Sequence, residues 1–404
     1  MKSIPEDTGS FLKIRNLDLL YVDKTAYIHR LVTSSGRSCC FLARPRRFGK
    51  SLLITTLKEL FSGRRDLFRG LAIADTDYDF KRYPVLHFDF GFVACRTGYE
   101  DFRSSLISYV RSVLVATGYQ YDEGATPGIN FGAAIDYLAA ANPGSPPVIL
   151  IDEYDDPVAK VIDSPDVAEK VRDEMSQFYG QLKGRTDKIR FLMITGVSRF
   201  TKLSIFSTLS NLVDISFDDN YAAMLGYTEA ELESYFADRM QLQAEVMNLP
   251  MSAYRLELKR LYNGYRFWKQ RGENVYNPVS ININFAFSGN EFKHYWTSTG
   301  KASTLMNLLK RDDLLSFEPE NVTGVTEEDL DVSDLHNLRP VPMLYQEGYL
   351  TIDEYNYGML TLRVPNKDTR DYINEILQPF ERNTRRFLEG DAVNLKELGV
   401  HELC

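Results

Sequence analysis

Only four of the 404 residues are cysteine, two are tryptophan and five are histidine, and these scarcities exclude several classes of protein. Two of the cysteines, Cys39 and Cys40, are adjacent, so the set offers neither a disulfide framework nor the spacing of a structural metal site. His29, His87, His294, His336 and His401 never fall into an H-x-x-x-H pattern or beside paired cysteines, which argues against a zinc centre. No apolar run approaches the roughly 20 residues that span a bilayer. The opening MKSIPEDTGS carries acids where a signal peptide needs an uninterrupted apolar stretch, so an intracellular, cytoplasmic protein is expected, with a secreted effector role left open. There is no internal repeat. Net positive charge is also lacking: at -9 the chain has no global attraction to nucleic acid, although a local basic patch would still bind phosphate.

What is present is the composition of a folded globular protein, 44% hydrophobic and 25% charged, long enough for two or three domains. SCCFLAR, YPVLHFDF, PPVILIDEYDD and IRFLMITGVSRF are short apolar runs of buried-strand type, and LVDISF adds a shorter one. Between them lie helical patterns: KSLLITTLKELFSG with Leu52, Leu53, Leu57, Leu60 and Phe61 at helical spacing, then DFRSSLISYVRSVLVATG, GINFGAAIDYLAAAN and AEKVRDEMSQFYGQLKG. Strands alternating with helices predict crossover units and a parallel sheet. Beyond Phe217 the pattern changes. GYTEAELESYFADRMQ opens with Thr228 and Glu231 in capping-box spacing, and SAYRLELKRLYNGYRF is helical until Asn263-Gly264 stops it. From Asn277 onward the chain reads as mixed helix and a hairpin.

The chemistry concentrates in FLARPRRFGKSLLI. Gly49, Lys50 and Ser51 end a phosphate-binding loop, in which backbone N-H groups turn inward around phosphates, lysine reaches the β and γ phosphates, and the hydroxyl holds magnesium. The helix that follows favours an anion at its start. The pattern's first glycine is replaced by Arg44, followed by Pro45, Arg46 and Arg47, so a basic loop that merely caps a helix is the competing reading. About 100 residues on, VILIDE ends an apolar strand with Asp152 and Glu153, the Walker B arrangement: Asp152 would order magnesium and Glu153 would polarise an attacking water. A solvated strand end is the alternative for a run as acidic as DEYDD. At the end of the next strand, Thr195 or Ser198 would sense the γ phosphate, and Arg199 would contact it in cis or from a neighbouring subunit, or instead pair with nearby acids.

YVDKT, RPRRFGKS, LIDEYD, ITGVSRF, LGYTEAEL, YNGYRF, VYNPVS and YWTSTG, in this order, resemble the AAA-ATPase-like family of bacterial P-loop proteins over roughly residues 5 to 385. The resemblance implies that arginine at the loop's first position is the family form. Pro45 stiffens the loop entry and arginines bring bidentate donors for phosphate; Arg46 and Arg47 would bind phosphate, or anchor the loop to acids such as Asp23 or Asp155. Family members commonly continue into a nuclease-like domain of PD-(D/E)XK type, but its E-x-K pattern does not follow a strand here, so no nuclease is assigned. The aromatics of YNGYRF and YWTSTG would stack on a base or belong to the core, and Tyr21 to Thr25 would line a base pocket or strap the sheet.

The expectation is an α/β protein: a strap over residues 1–24, a P-loop NTPase core of the additional-strand, AAA-like class over 25–220, a helical lid over 221–276 and a winged-helix-like α+β module over 277–404. Lys50, Glu153 and Arg199 are the expected catalytic residues. Arg44, Arg46, Arg47, Phe48, Gly49, Lys50, Ser51, Leu52 and Thr195 are expected to bind ATP, with Ser51 and Asp152 serving magnesium. A slow ATPase switch and a non-hydrolysing, nucleotide-dependent scaffold are the two functions carried forward. A protein partner, a second copy and nucleic acid bound by the C-terminal module are left open, and no membrane association is expected.

Overall fold

Strands that are apolar along their whole length suit a sheet covered by helices on both faces, and the apolar runs form one. The computed structural model describes residues 1–5, 9–200, 209, 211–286, 291–295, 322–332 and 334–375. β1 (Cys39–Ala43), β2 (Val85–Asp89), β3 (Val148–Asp152), β4 (Phe191–Gly196) and β5 (Val213–Asp214) lie in the order β2-β3-β4-β1-β5, with every neighbouring pair parallel. Every residue of β3 and β4 is buried, and each buried Ile or Leu contributes about 1.5–3 kcal/mol. β4 stands between β1 and β3, the additional strand expected from the sequence. Register then sets the site: Asp89 lies opposite Asp152, and Leu42 opposite Thr195.

The core helices are α1 (Phe11–Asn16), α2 (Thr25–Thr33), α3 (Lys50–Phe61), α4 (Tyr99–Val115), α5 (Pro127–Ala141), the short α6 (Asp156–Ala159) and α7 (Pro165–Gly180). α3 packs on β3 and β4, α4 on β2, and α5 and α7 on α4. Thr126 caps α5 through its side chain, with Pro127 in the first turn where its missing N-H costs nothing. Leu53, Leu57, Leu60 and Phe61 of α3 are buried, whereas Leu52 is only half-buried and faces a cavity. The N-terminal segment crosses α3, its Phe11 N-H donating to Thr55 Oγ1 at 3.1 Å and Thr55 Oγ1 donating to the Gly9 carbonyl at 2.6 Å.

α8 (Glu229–Val246), α9 (Met251–Tyr262) and α10 (Pro278–Ala286) form a second apolar cluster around Phe236, Tyr254, Leu258, Ile281 and Phe285, joined by Ile4 and Val22 from the N-terminal segment. Thr228 and Glu231 make the full capping box at the start of α8. α10 packs with α8 and α9 in this cluster, Phe285 stacking on Phe236 with ring centres 5.1 Å apart. α9 ends where Gly264 takes φ +102°, and a Cβ there would meet the Pro365 carbonyl oxygen at 2.0 Å. Gly264→Ala is therefore expected to destabilise the protein by at least about 2 kcal/mol, read as a lower urea midpoint at unchanged slope.

The C-terminal part holds β6 (Val322–Val325), α11 (Pro340–Gln346), β7 (Thr351–Asn356) and β8 (Met359–Arg363) in a small antiparallel sheet of order β6-β8-β7. The β7–β8 hairpin turns through Tyr357 and Gly358, both left-handed at φ 50° and 85°, the geometry that matches strand twist. Most of YWTSTG lies outside the described residues, as do 301–321 and 376–404. Among the described residues no helix is long and apolar enough to cross a membrane.

Candidate nucleotide site

The chain leaves β1 at Ala43 and must reverse into α3 within six residues. Left-handed residues at Arg47 (φ 71°) and Gly49 (φ 92°) flank Phe48 and make that reversal; such alternation turns successive N-H groups to one side, as an anion cradle requires. Gly49 is the N-cap of α3 and brings no capping side chain, so the N-H groups of the first turn are open to a ligand.

Two residues hold the loop from behind. Arg44 is buried, donates from Nη1 to the Ala43 and Ser216 carbonyls at 2.9 and 2.6 Å, and lies over the Phe267 ring at 4.2 Å. The buried Phe48 ring meets Tyr265 and Phe267 edge-on at 4.8 and 5.1 Å. Tyr262, Tyr265 and Phe267 are thus core residues, and YNGYRF is the backing of the loop. Lys50 Nζ, also buried, donates to the Arg44 and Pro45 carbonyls at 2.9 and 3.0 Å. Burial pulls its ammonium below the ordinary lysine value, opposed by the carboxylates of Asp152, Asp155 and Glu153.

A cavity of about 490 Å³ opens beside the loop, within the size range of small-ligand sites. Its wall combines Arg46, Arg47, Gly49, Lys50, Ser51 and Glu153 with an apolar set that includes Ile14, Leu20, Tyr21, Val22, Met224 and Val279. Tyr227, Asn282 and Lys24 also bring polar atoms to the wall, the Tyr227 hydroxyl donating to Asn282 Oδ1 at 3.3 Å. YVDKT both straps and lines: Tyr21, Val22 and Lys24 face the cavity, while Asp23 accepts from the Thr25 and Ala72 N-H groups at 2.8 and 2.7 Å. Lys24 Nζ ties that segment to the start of α8 through the Ala223 carbonyl at 2.8 Å and the Glu231 carboxylate at 2.6 Å.

Asp152, 1% exposed, ends β3, and its Oδ1 accepts from Thr195 Oγ1 at 2.6 Å and from the Glu153 N-H at 3.0 Å. Glu153 takes a left-handed conformation, φ 50°. Its carboxyl is pushed up to about 7, first by burial and then by the carboxylates of Asp156, Asp152 and Asp89. Asp89 is raised to about 6 by burial and Asp152. Asp89 and Gly91 were not singled out from the sequence. A Cβ on Gly91 would stand 2.3 Å from Glu153 Oε2 and 2.9 Å from Asp89 Oδ1, so this glycine makes room for the glutamate. The hint in the sequence is an acid at the end of a second buried strand, YPVLHFDF, and its meaning depends on a register that only the folded sheet supplies.

Arg44, Asp152, Thr195 and Arg199 do not reach the cavity wall: Asp152 lies behind it, bonded to Thr195 and the Glu153 N-H, and the other three are held elsewhere. Arg44 is held by main-chain oxygens and Phe267, and Thr195, fully buried, orients Asp152. Arg199 pairs with Asp214 and Asp331, each at 3.0 Å, and lies over Phe217. Ser198 likewise serves structure: its N-H and that of Val197 donate to the buried Asp155 carboxylate, at 2.6 Å from Ser198. Arg46 ion-pairs with Glu347, Nε to Oε2 3.4 Å, an acid from a different part of the chain than the Asp23 or Asp155 considered from sequence. Phe48 and Leu52 do line the cavity.

Comparison with known proteins gives the family. Over 381 residues the chain is 34% identical to a protein of Azotobacter chroococcum mcd 1 named "Uncharacterized protein in vnfD 5'region", the match covering 93% of this chain and 70% of that protein. No solved structure matches the chain. Residues 5–206, which carry the loop, the Asp152-Glu153 strand end and β4, match the family model described as "Predicted AAA-ATPase". The chain belongs to this AAA-ATPase-like family.

Proposed function

We propose that the protein binds ATP in the cavity beside Gly49–Ser51 and hydrolyses it slowly with magnesium, as a nucleotide-controlled switch. The observation that carries this reading is one cavity whose wall joins the cationic, N-H-rich loop to a set of apolar residues, which suits the two chemically different parts of a nucleotide. Lys50 exchanges its two loop carbonyls for β- and γ-phosphate oxygens, which are stronger, anionic acceptors. Gly49 lets the N-H groups of the turn face the phosphates. Glu153 takes the proton of the attacking water.

Magnesium fits the donor set. Ser51 and Asp152 are hydroxyl and carboxylate oxygen donors, the type this ion prefers, and it ordinarily takes few protein ligands and completes its shell with phosphate and water. Among the described residues no group of three or more His, Cys, Asp or Glu side chains is arranged to hold a metal alone. Asp89 and Glu153 are both raised, first by burial and then by the carboxylates around them, with Lys160 and Lys50 opposing only in part, so a further cation would be favoured in this corner. When bound there, magnesium would neutralise charge on the phosphates.

A switch follows from who shares the wall. Val22 faces the cavity and also belongs to the lid cluster, and Met224, Tyr227 and Val279 come from the lid side, so filling the cavity acts on lid packing. The test is binding and turnover of ATP by the purified chain, with and without EDTA: magnesium-dependent turnover supports the reading. Binding without turnover would leave the non-hydrolysing scaffold, and absence of binding would end both. Gly91→Ala probes the acid corner. Because the obstructing atom is the end of a flexible side chain, stability should change by less than about 1 kcal/mol, while turnover should drop tenfold or more; unchanged turnover would show that the position of Glu153 does not matter.

A further inference from the structure

Arg46 stands at the phosphate end of the cavity, yet its partner comes from three hundred residues away. Glu347 follows α11 as its C-cap, its N-H donating to the Met343 carbonyl at 3.0 Å. Gln346 beside it donates to the Leu330 carbonyl at 2.6 Å, and Tyr345 stacks on Phe217 with ring centres 6.2 Å apart. The corner between α11 and β7 is therefore anchored, and it presents Glu347 to the loop. The contact is only half made. Arg46 Nε and Glu347 Oε2 are 3.4 Å apart with the side chains 28% and 25% exposed, and Nε is buried without a hydrogen bond. A guanidinium in that state has lost water without gaining a full acceptor, and phosphate oxygens would supply one bidentately. Arg44 cannot take this role, because its guanidinium is held by the Ala43 and Ser216 carbonyls under the Phe267 ring.

We propose that Glu347 is the resident counter-ion of Arg46 and gives it up to nucleotide phosphate, so that the α11–β7 corner sets how tightly the loop holds its ligand. This rests on the nucleotide reading of the cavity. Glu347 is a positioning residue: it acts through Arg46 and competes with the ligand for it. Occupancy of the loop is thereby transmitted to the small antiparallel sheet, since the corner that loses its partner leads directly into β7.

Calorimetric titration of the full chain with magnesium-ATP, ADP and inorganic tripolyphosphate tests this, comparing wild type with Glu347→Gln, Glu347→Asp, Arg46→Ala and the Arg46→Ala/Glu347→Gln double variant. Glu347→Gln should bind all three ligands about threefold to tenfold more tightly, by a common factor because the gain belongs to phosphate. Glu347→Asp, which keeps the charge, should remain near wild type. In the Arg46→Ala background the glutamine should change nothing. Equal affinity of Glu347→Gln and wild type, or the same gain without Arg46, would overturn the proposal and leave the nucleotide site standing. Failure of wild type and Glu347→Gln alike to bind any of the three ligands would remove both. Thermal unfolding of each variant checks that affinities are compared between folded proteins.

Discussion

Lys50→Ala is expected to abolish nucleotide binding at concentrations that saturate wild type, a loss of at least a hundredfold in affinity. The ammonium is buried and donates to the Arg44 and Pro45 carbonyls, neutral acceptors that leave its charge poorly satisfied in the free protein. Burial already depresses its pKa against three opposing carboxylates. A buried cation of that kind has much to gain from an anionic ligand, and truncating one partner of a desolvated charge pair costs on the order of 2–5 kcal/mol. Stability of the free protein should fall little or even rise, because the alanine removes a charge whose desolvation is only partly repaid. Titration with ATP and thermal unfolding without ligand check the two halves separately. A Lys50→Ala protein that binds like wild type would show that the cavity does not use the loop.

Glu153→Gln carries the second large effect. Gln keeps the shape that Gly91 accommodates but cannot accept the proton of an attacking water, so turnover should fall by about 10²–10⁴ while ATP binding persists. Binding should tighten slightly, since one of the crowded carboxylates of the Asp89, Asp152 and Asp156 corner is neutralised. Single-turnover hydrolysis beside equilibrium binding separates the two quantities. Unchanged turnover would pass the role of base to another group, of which Asp89 is the nearest candidate across Gly91.

Much of this was legible beforehand, and the reason is locality. A strand buried on both faces must be apolar throughout, so β1, β3 and β4 stood out as CCFLA, VILID and FLMITG; the turn residues that follow a strand are adjacent to it in the chain, so Lys50, Ser51, Asp152 and Glu153 could be placed on their elements. What stayed hidden depends on partners distant in sequence. That Arg199 is taken by Asp331, and Arg46 by Glu347, rests on the docking of the C-terminal part against the core. Thr195 was placed at its strand end, but its neighbour there is set across the sheet: the step from Thr195 to Asp152 is a contact between adjacent strands, and its hydroxyl faces a carboxylate and not the cavity. YNGYRF read as either base stacking or core, and only the position of Phe48 between Tyr265 and Phe267 shows why a core motif so far along the chain bears on the loop.

The strand order has a metric consequence. Because β4 is inserted between β1 and β3, the strand that feeds the loop and the strand that leads into Glu153 lie two spacings apart, about 10 Å. On the proposed reading the sheet is a caliper. A ligand anchored on the loop side reaches the glutamate side only if its phosphate chain is long enough to cross the width of one interposed strand, so loss of the terminal phosphate disconnects the two jaws without any change in how the rest is held. The difference between the two nucleotide states is then one of span, built into the sheet's connectivity rather than into any single side chain.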